Sequence, residues 1–157
     1  MKNRRSPIFL ILICFSGFFS NASASFGRVE SQLTDEEKAQ IVKSVLEQRL
    51  SNHKVYPLGR ELTLSTENIN IKLIPNPISG IELSFLKPDE IKRRDKGNIS
   101  YLVFGVFKET NSGIEVSLSE IWRDGIAHGW SRTAYKCHKV NDKWLAEEGE
   151  ESFEIFN

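Results

Sequence analysis

"WSRTAYKCHKVNDKW", Trp130 to Trp144, places Cys137 directly beside His138. Those two residues are the raw material of a thiol enzyme or a metal site. The same letters also spell a β-hairpin. Asn141-Asp142 is a two-residue turn signal between runs rich in β-forming residues. On a strand, successive side chains point to opposite faces. If Tyr135 and Cys137 turn inward, Lys136 and His138 face solvent. Neighbours so placed cannot form the thiol–imidazole hydrogen bond that activates a nucleophile. Cys137 then reads as a small buried hydrophobe and His138 as a surface residue.

Further hairpins flank this one. Asp124-Gly125 and Asn111-Ser112-Gly113 are turn signals upstream. Between them "IEVSLSEIWRDG" alternates, with Ile114, Val116 and Leu118 on one face. "NISYLVFGVFKET" is apolar on both faces through Phe107 and reads as one central strand. Its "YLVFGVF" core is aggregation-prone if exposed. "KWLAEEGEESFEIF" closes the sheet. Three hairpins in succession make a meander.

The N-terminal half supplies helices. In "LTDEEKAQIVKSVLEQRLSN", Thr34 and Glu37 have the spacing of a capping box. Asp35, Glu36 and Glu37 suit the positive end of the helix dipole. Ile41, Val42, Val45, Leu46 and Leu50 form one stripe at helical spacing. The pattern predicts a helix from about Asp35 to Leu50, packed on a sheet. Leu62 and Leu64 alternate with polar residues, as do Ile69, Ile71 and Leu73, which predicts extended chain. "ISGIELSFL" is a further short strand. "KPDEIKRRDKG" reads as a short second helix opened by Pro88. Its Lys92, Arg93, Arg94 and Lys96 form a solvated basic end. The expected fold is therefore α+β: an N-terminal amphipathic helix and a short second helix on a curved antiparallel sheet.

This order of elements, with "LSTENI" and the hairpin "YKCHKVNDKWLAEE", resembles the NTF2-like and cystatin-like superfamily over Leu33 to Glu148. The chain lacks the run of several N-terminal helices usual in NTF2-like domains, which leaves the cystatin-like variant open. The resemblance implies an α+β domain that is either a non-catalytic binding module or an isomerase or dehydratase. Fold does not choose between them.

Upstream of the domain, Lys2, Arg4 and Arg5 precede the apolar run Ile8 to Phe19 and the small-residue motif Ala22-Ser23-Ala24. That is the anatomy of a secretory signal peptide over residues 1–24, shorter than the ~20 apolar residues of a spanning helix. Residues 25–32 are a loose lead-in, and residues 33–157 one domain. The mature chain is expected to be secreted or periplasmic, with no stable membrane insertion. Cleavage removes three of the 21 basic residues and none of the 21 acidic ones, so the mature chain carries net charge −3 with neutral histidines. Such a balance argues against nucleic acid and against anionic membrane surfaces. Cleavage also removes Cys14, so Cys137 has no intrachain partner.

Catalytic signatures are sparse. His53, His128, His138 and Cys137 have no zinc spacing, and the sequence calls for no metal and no cofactor. Asn98-Ile99-Ser100 is a glycosylation sequon. The richest local cluster is "EIWRDGIAHGW", Glu120 to Trp130. Its Asp124 and His128 are the candidate catalytic acid–base pair, because the resemblance implies such a pair inside a sheet cavity. Trp122, Arg123 and Trp130 are the candidate binding residues, on a hairpin whose loop sits on a rigid sheet. The leading expectation is an exported, non-enzymatic domain that holds a small ligand or a protein partner. The alternative is a small-molecule isomerase or dehydratase. A protease inhibitor of cystatin-like shape lacks a recognisable inhibitory loop motif.

Secretion of the full-length chain should release a protein that starts at Ser25. Intact mass and N-terminal sequencing check this, and a retained Met1 would rule out the leader.

Overall fold

The computed structural model describes residues 32–51, 61–94, 99–124 and 127–156. The expected leader over residues 1–24, His53, Asn98 of the sequon and Gly125 lie outside these described residues. So do the side chains of Glu61, Asp124 and Ala127.

Helix α1 (Asp35–Ser51) starts where the capping box predicts. Thr34 Oγ1 accepts the Glu37 amide and Glu37 Oε2 accepts the Thr34 amide, both at 3.2 Å. Ile41, Val42, Val45 and Leu46 are fully buried, each contributing about 1.5–3 kcal/mol of burial. The stripe continues one turn further onto Arg49, which is also buried.

Downstream come β1 (Glu61–Ser65), a 3-10 turn (Ile71–Leu73), β2 (Glu82–Leu86) and helix α2 (Pro88–Arg94). The remaining strands are β3 (Ile99–Phe104), β4 (Lys108–Thr110), β5 (Gly113–Asp124), β6 (Ala127–Val140) and β7 (Lys143–Phe156). They join one sheet in the order β2-β1-β3-β5-β6-β7, with β4 also paired to β5. The fold is α+β, as expected. The sheet is mixed, however, and the meander is confined to β3 through β7. Strand β1 lies parallel to both β2 and β3. Parallel neighbours need long crossover connections, and here the 3-10 turn and α2 lie in them.

Two sequence expectations fail locally. Residues 71–73 are not extended. Asn70 Oδ1 accepts the Lys72 amide at 3.3 Å, a local side-chain bond that competes with strand pairing. Ile71 and Leu73 stay exposed. The long central strand also breaks at Gly105, whose amide bonds Ser117 O at 2.8 Å. A Cβ at residue 105 would run into Ser117 Oγ. Pairing resumes at Lys108↔Glu115 after Phe104↔Leu118. Three residues (105–107) therefore oppose two (116 and 117), and the extra one is a bulge.

A second bulge interrupts the longest hairpin. Thr133 pairs with Glu151, but Tyr135 pairs with Glu148. The extra residue lies in β7, beside Gly149, where a Cβ would sit 3.0 Å from Ala134 O. The Asn141-Asp142 turn forms as read, with both residues at positive φ, 49° and 61°.

Helix α1 packs on one face of this sheet. Its stripe forms a single cluster with Leu64, Leu102, Phe104, Val116, Leu118, Tyr135 and Cys137. Register confirms that the β5 and β6 members share a face, since Ile114↔Cys137, Val116↔Tyr135 and Leu118↔Thr133 are opposed pairs. Ser44 of α1 accepts the Ala146 amide of β7 at 2.8 Å. At the end of α1, Arg49 meets Glu120 on β5 at 3.3 Å, and Glu151 and Glu148 on β7 at 3.4 and 3.9 Å. Thr133 Oγ1 donates to Glu151 at 3.5 Å.

Arg49→Ala takes the Arg49 guanidinium away from Glu120, whose side chain is only 14 % exposed. Because Glu148 and Glu151 are partly solvated, the expected loss is about 2–4 kcal/mol, read from denaturant midpoints. A loss below about 1 kcal/mol would mean that solvent already screens the cluster.

Candidate functional site

The face of the sheet away from α1 carries the other parity of every strand. On β5 and β6 its opposed pairs are Ser119↔Arg132, Ile121↔Trp130 and Arg123↔His128. Strand β3 adds Ile99 opposite Arg123, and β7 adds Phe156 opposite His128. Together these residues line a half-open cleft of about 320 Å³. Trp122 and Gly129, an opposed pair of the other parity, complete its lining. A Cβ at Gly129 would come within 2.6 Å of the Trp122 ring. The indole therefore packs against backbone that only glycine leaves bare.

The cleft is mostly apolar, with ordered polar groups at its margins. The rings of His128 and Phe156 stack at 5.1 Å and 18°. The Arg132 guanidinium lies 5.7 Å from the centre of the Trp130 ring, within cation–π range. Arg132 Nε donates to Ser119 Oγ at 3.3 Å. No carboxylate is among the lining residues.

Of the candidate residues, Arg123, Trp130 and His128 come together on this face. Trp122 is their sequence neighbour, but strand parity puts it on the helix side, at the end of the cleft. Asp124 pairs with Ala127 and so holds the ladder position opposite in parity to His128. Its carboxylate lies outside the described residues. Sequence reading missed Arg132, Ser119, Ile99, Ile121 and Phe156. Arg132 was accessible in principle: it lies two residues from Trp130 and so shares its face. Phe156 was not, because its register depends on the β7 bulge.

No family model, curated protein or solved structure matches the chain.

The opening Cys–His pair is not such a site. Cys137 is 1 % exposed, in the core under α1, and burial pushes its thiol from 9.0 up to about 12. A neutral, shielded thiol is neither nucleophile nor metal ligand at neutral pH. His138 sits on the other face, 3.9 Å from Glu147. Among the described residues, no three His, Cys, Asp or Glu side chains converge to hold a metal.

A second groove, about 430 Å³, runs between α1 and the start of β7 beside Trp144. Lys139 lies 5.9 Å from the centre of the Trp144 ring. This groove is lined by Gln40, Lys43, Ser44, Glu47, Asp142 and Lys143 besides Trp144 and Leu145, a mixed-charge surface.

The Cys137 thiol sets a pH dependence. As pH rises past 9.0, the unfolded chain loses this proton while the folded chain keeps it to about 12. Its contribution to stability is thus intact below 9.0 and lost progressively between 9.0 and about 12. The stability difference between wild type and Cys137→Ala should shrink across that window, and native protein should react with a thiol reagent far more slowly than unfolded protein. Parallel pH profiles together with rapid native labelling would contradict the buried placement.

Proposed function

We propose that the chain is an exported, single-domain binding protein of NTF2-like or cystatin-like type, non-enzymatic, which holds a small ligand in the open-face cleft. The observation that carries this reading is the cleft itself. Its volume of about 320 Å³ falls at the lower end of the range for small-molecule sites. Its floor is aliphatic and aromatic, with a few polar groups at the edge, as ligand sites commonly are. It is built on two long paired strands rather than on loops alone, which holds Ile121, Trp130 and Arg132 in fixed relation.

Export is supported by the three-part leader. The mature net charge of −3 supports a ligand or protein partner over nucleic acid. The isomerase or dehydratase alternative requires Asp124 and His128 in one cavity. Of the two, His128 lines the cleft among the described residues, and the face under α1 is filled by core side chains.

A titration with the neutral fluorophore N-phenyl-1-naphthylamine tests the reading. Saturable binding is expected. Trp130→Ala removes an aromatic anchor and should weaken it by about tenfold. Phe153→Ser lies on the other face of the sheet and should leave it unchanged. Binding that is non-saturable, or indifferent to Trp130, would defeat the proposal.

A further inference from the structure

The charge of the cleft runs against the charge of the chain. The mature protein is net acidic, and β7 alone carries Glu147, Glu148, Glu150, Glu151 and Glu154. Yet the polar side chains lining the cleft are two arginines, one histidine and one serine, besides the Trp122 and Trp130 indoles. Acidic side chains dominate β7 and gather around Arg49 beneath α1. Glu147 and Glu154 do sit on the open face, opposite Lys136 and Trp130, but neither lines the cleft.

The placement of these groups is ordered as well. Opposed pairs form three rows across β5 and β6: Arg123 with His128, then Ile121 with Trp130, then Ser119 with Arg132. Rows on one face of a strand are about 7 Å apart. The apolar row is therefore bounded on each side by an arginine row. Arg132 is the better defined end. Its Nε donates to Ser119 Oγ and its Cζ lies over the Trp130 ring, 5.7 Å from the ring centre. Among the described residues it makes no ion pair with a carboxylate, and the residue is exposed. A guanidinium fixed at one edge in this way presents its remaining donors as a fork, which matches the two oxygens of a carboxylate, phosphate or sulfonate.

We infer that the cleft selects a small amphipathic anion, whose apolar body lies on Ile121 and Trp130 and whose acidic group is bound by Arg132. The inference rests on the binding reading above and adds the ligand class to it. Arg123 and His128 at the far end supply a second polar wall. The ligand's charge supplies the specificity: a neutral analogue of the same shape keeps the aromatic contact and forfeits the charge-assisted hydrogen bonds.

A matched pair of probes separates the two levels. 1-Anilinonaphthalene-8-sulfonate carries the ring system of N-phenyl-1-naphthylamine plus one sulfonate. At low salt the anion should bind about tenfold or more tightly than the neutral probe. Added salt should narrow the gap. Arg132→Gln should abolish the preference, weakening the anionic probe about tenfold more than the neutral one, and Trp130→Ala should weaken both probes. 1-Naphthaleneacetate should displace the anionic probe at about tenfold or more lower concentration than 1-naphthaleneacetamide does. Equal affinity for the two probes, or a preference that survives Arg132→Gln, overturns the anion assignment and leaves the cleft reading standing. Failure of the neutral probe to bind strikes the cleft reading itself. Arg132-dependent co-sedimentation with phosphatidylglycerol vesicles would assign the anion to a lipid surface and overturn the free-ligand inference.

Discussion

One extra residue in β7 governs both faces of the sheet. Glu148 and Glu151 are three apart, and in a regular strand they would point to opposite sides. The bulge at Gly149 inserts a residue between them, so that both lie on the helix face. There they reach Arg49 together with Glu120. The same insertion resets everything C-terminal to it. Phe153 and Ile155 fall on the helix side, and Phe156 falls opposite His128 on the open side. Remove the insertion and Phe156 leaves the cleft while one glutamate leaves the guanidinium. The ion cluster that fixes the end of α1 and the aromatic wall of the cleft are set by one backbone irregularity.

Much of the fold was legible because its signals are local. A capping box, an Asn-Asp turn and a clean alternation at Ile114, Val116 and Leu118 each specify geometry within a few residues. The separation of Cys137 from His138 needed only strand parity. What stayed hidden depended on contacts far along the chain. "NISYLVFGVFKET" contains no polar break, and Gly105 is a bulge only because Ser117 approaches it from the next strand. "AEEGEES" is polar at almost every position, so no apolar alternation reveals where β7 slips register. The parallel placement of β1 has no local signature at all. For the candidate site, the sequence pointed to the hairpin that lines the cleft but grouped Trp122 with Trp130 by proximity. Parity assigns them to opposite faces. Arg132 and Phe156 enter only when the register of three strands is known.

The edges of the sheet are handled unevenly. At β2, the Asn76 side chain both donates to and accepts from Leu83, at 2.9 and 2.8 Å, and so mimics a neighbouring strand. At β7, Ser44 covers the Ala146 amide and α1 lies over the first half. The second half carries exposed Phe153 and Ile155 among glutamates. Interspersed charge of this kind discourages edge-to-edge pairing of like strands, since a second copy would bring its own glutamates.

Three of the ties between α1 and the β6–β7 hairpin share one number. Ser44 with Ala146, Arg49 with Glu151 and Glu37 with Lys139 are each separated by 102 residues. The β6–β7 hairpin, by contrast, is closed by a two-residue turn. Loop closure over so long a span costs entropy before any contact repays it. Folding thus has a natural order in which the hairpins assemble first, and α1, though first in the chain, docks late. Until it does, the face bearing Val116, Tyr135 and Cys137 is open to water. The sheet's exposure during biogenesis is set by how soon the last strands are delivered to a helix made long before them.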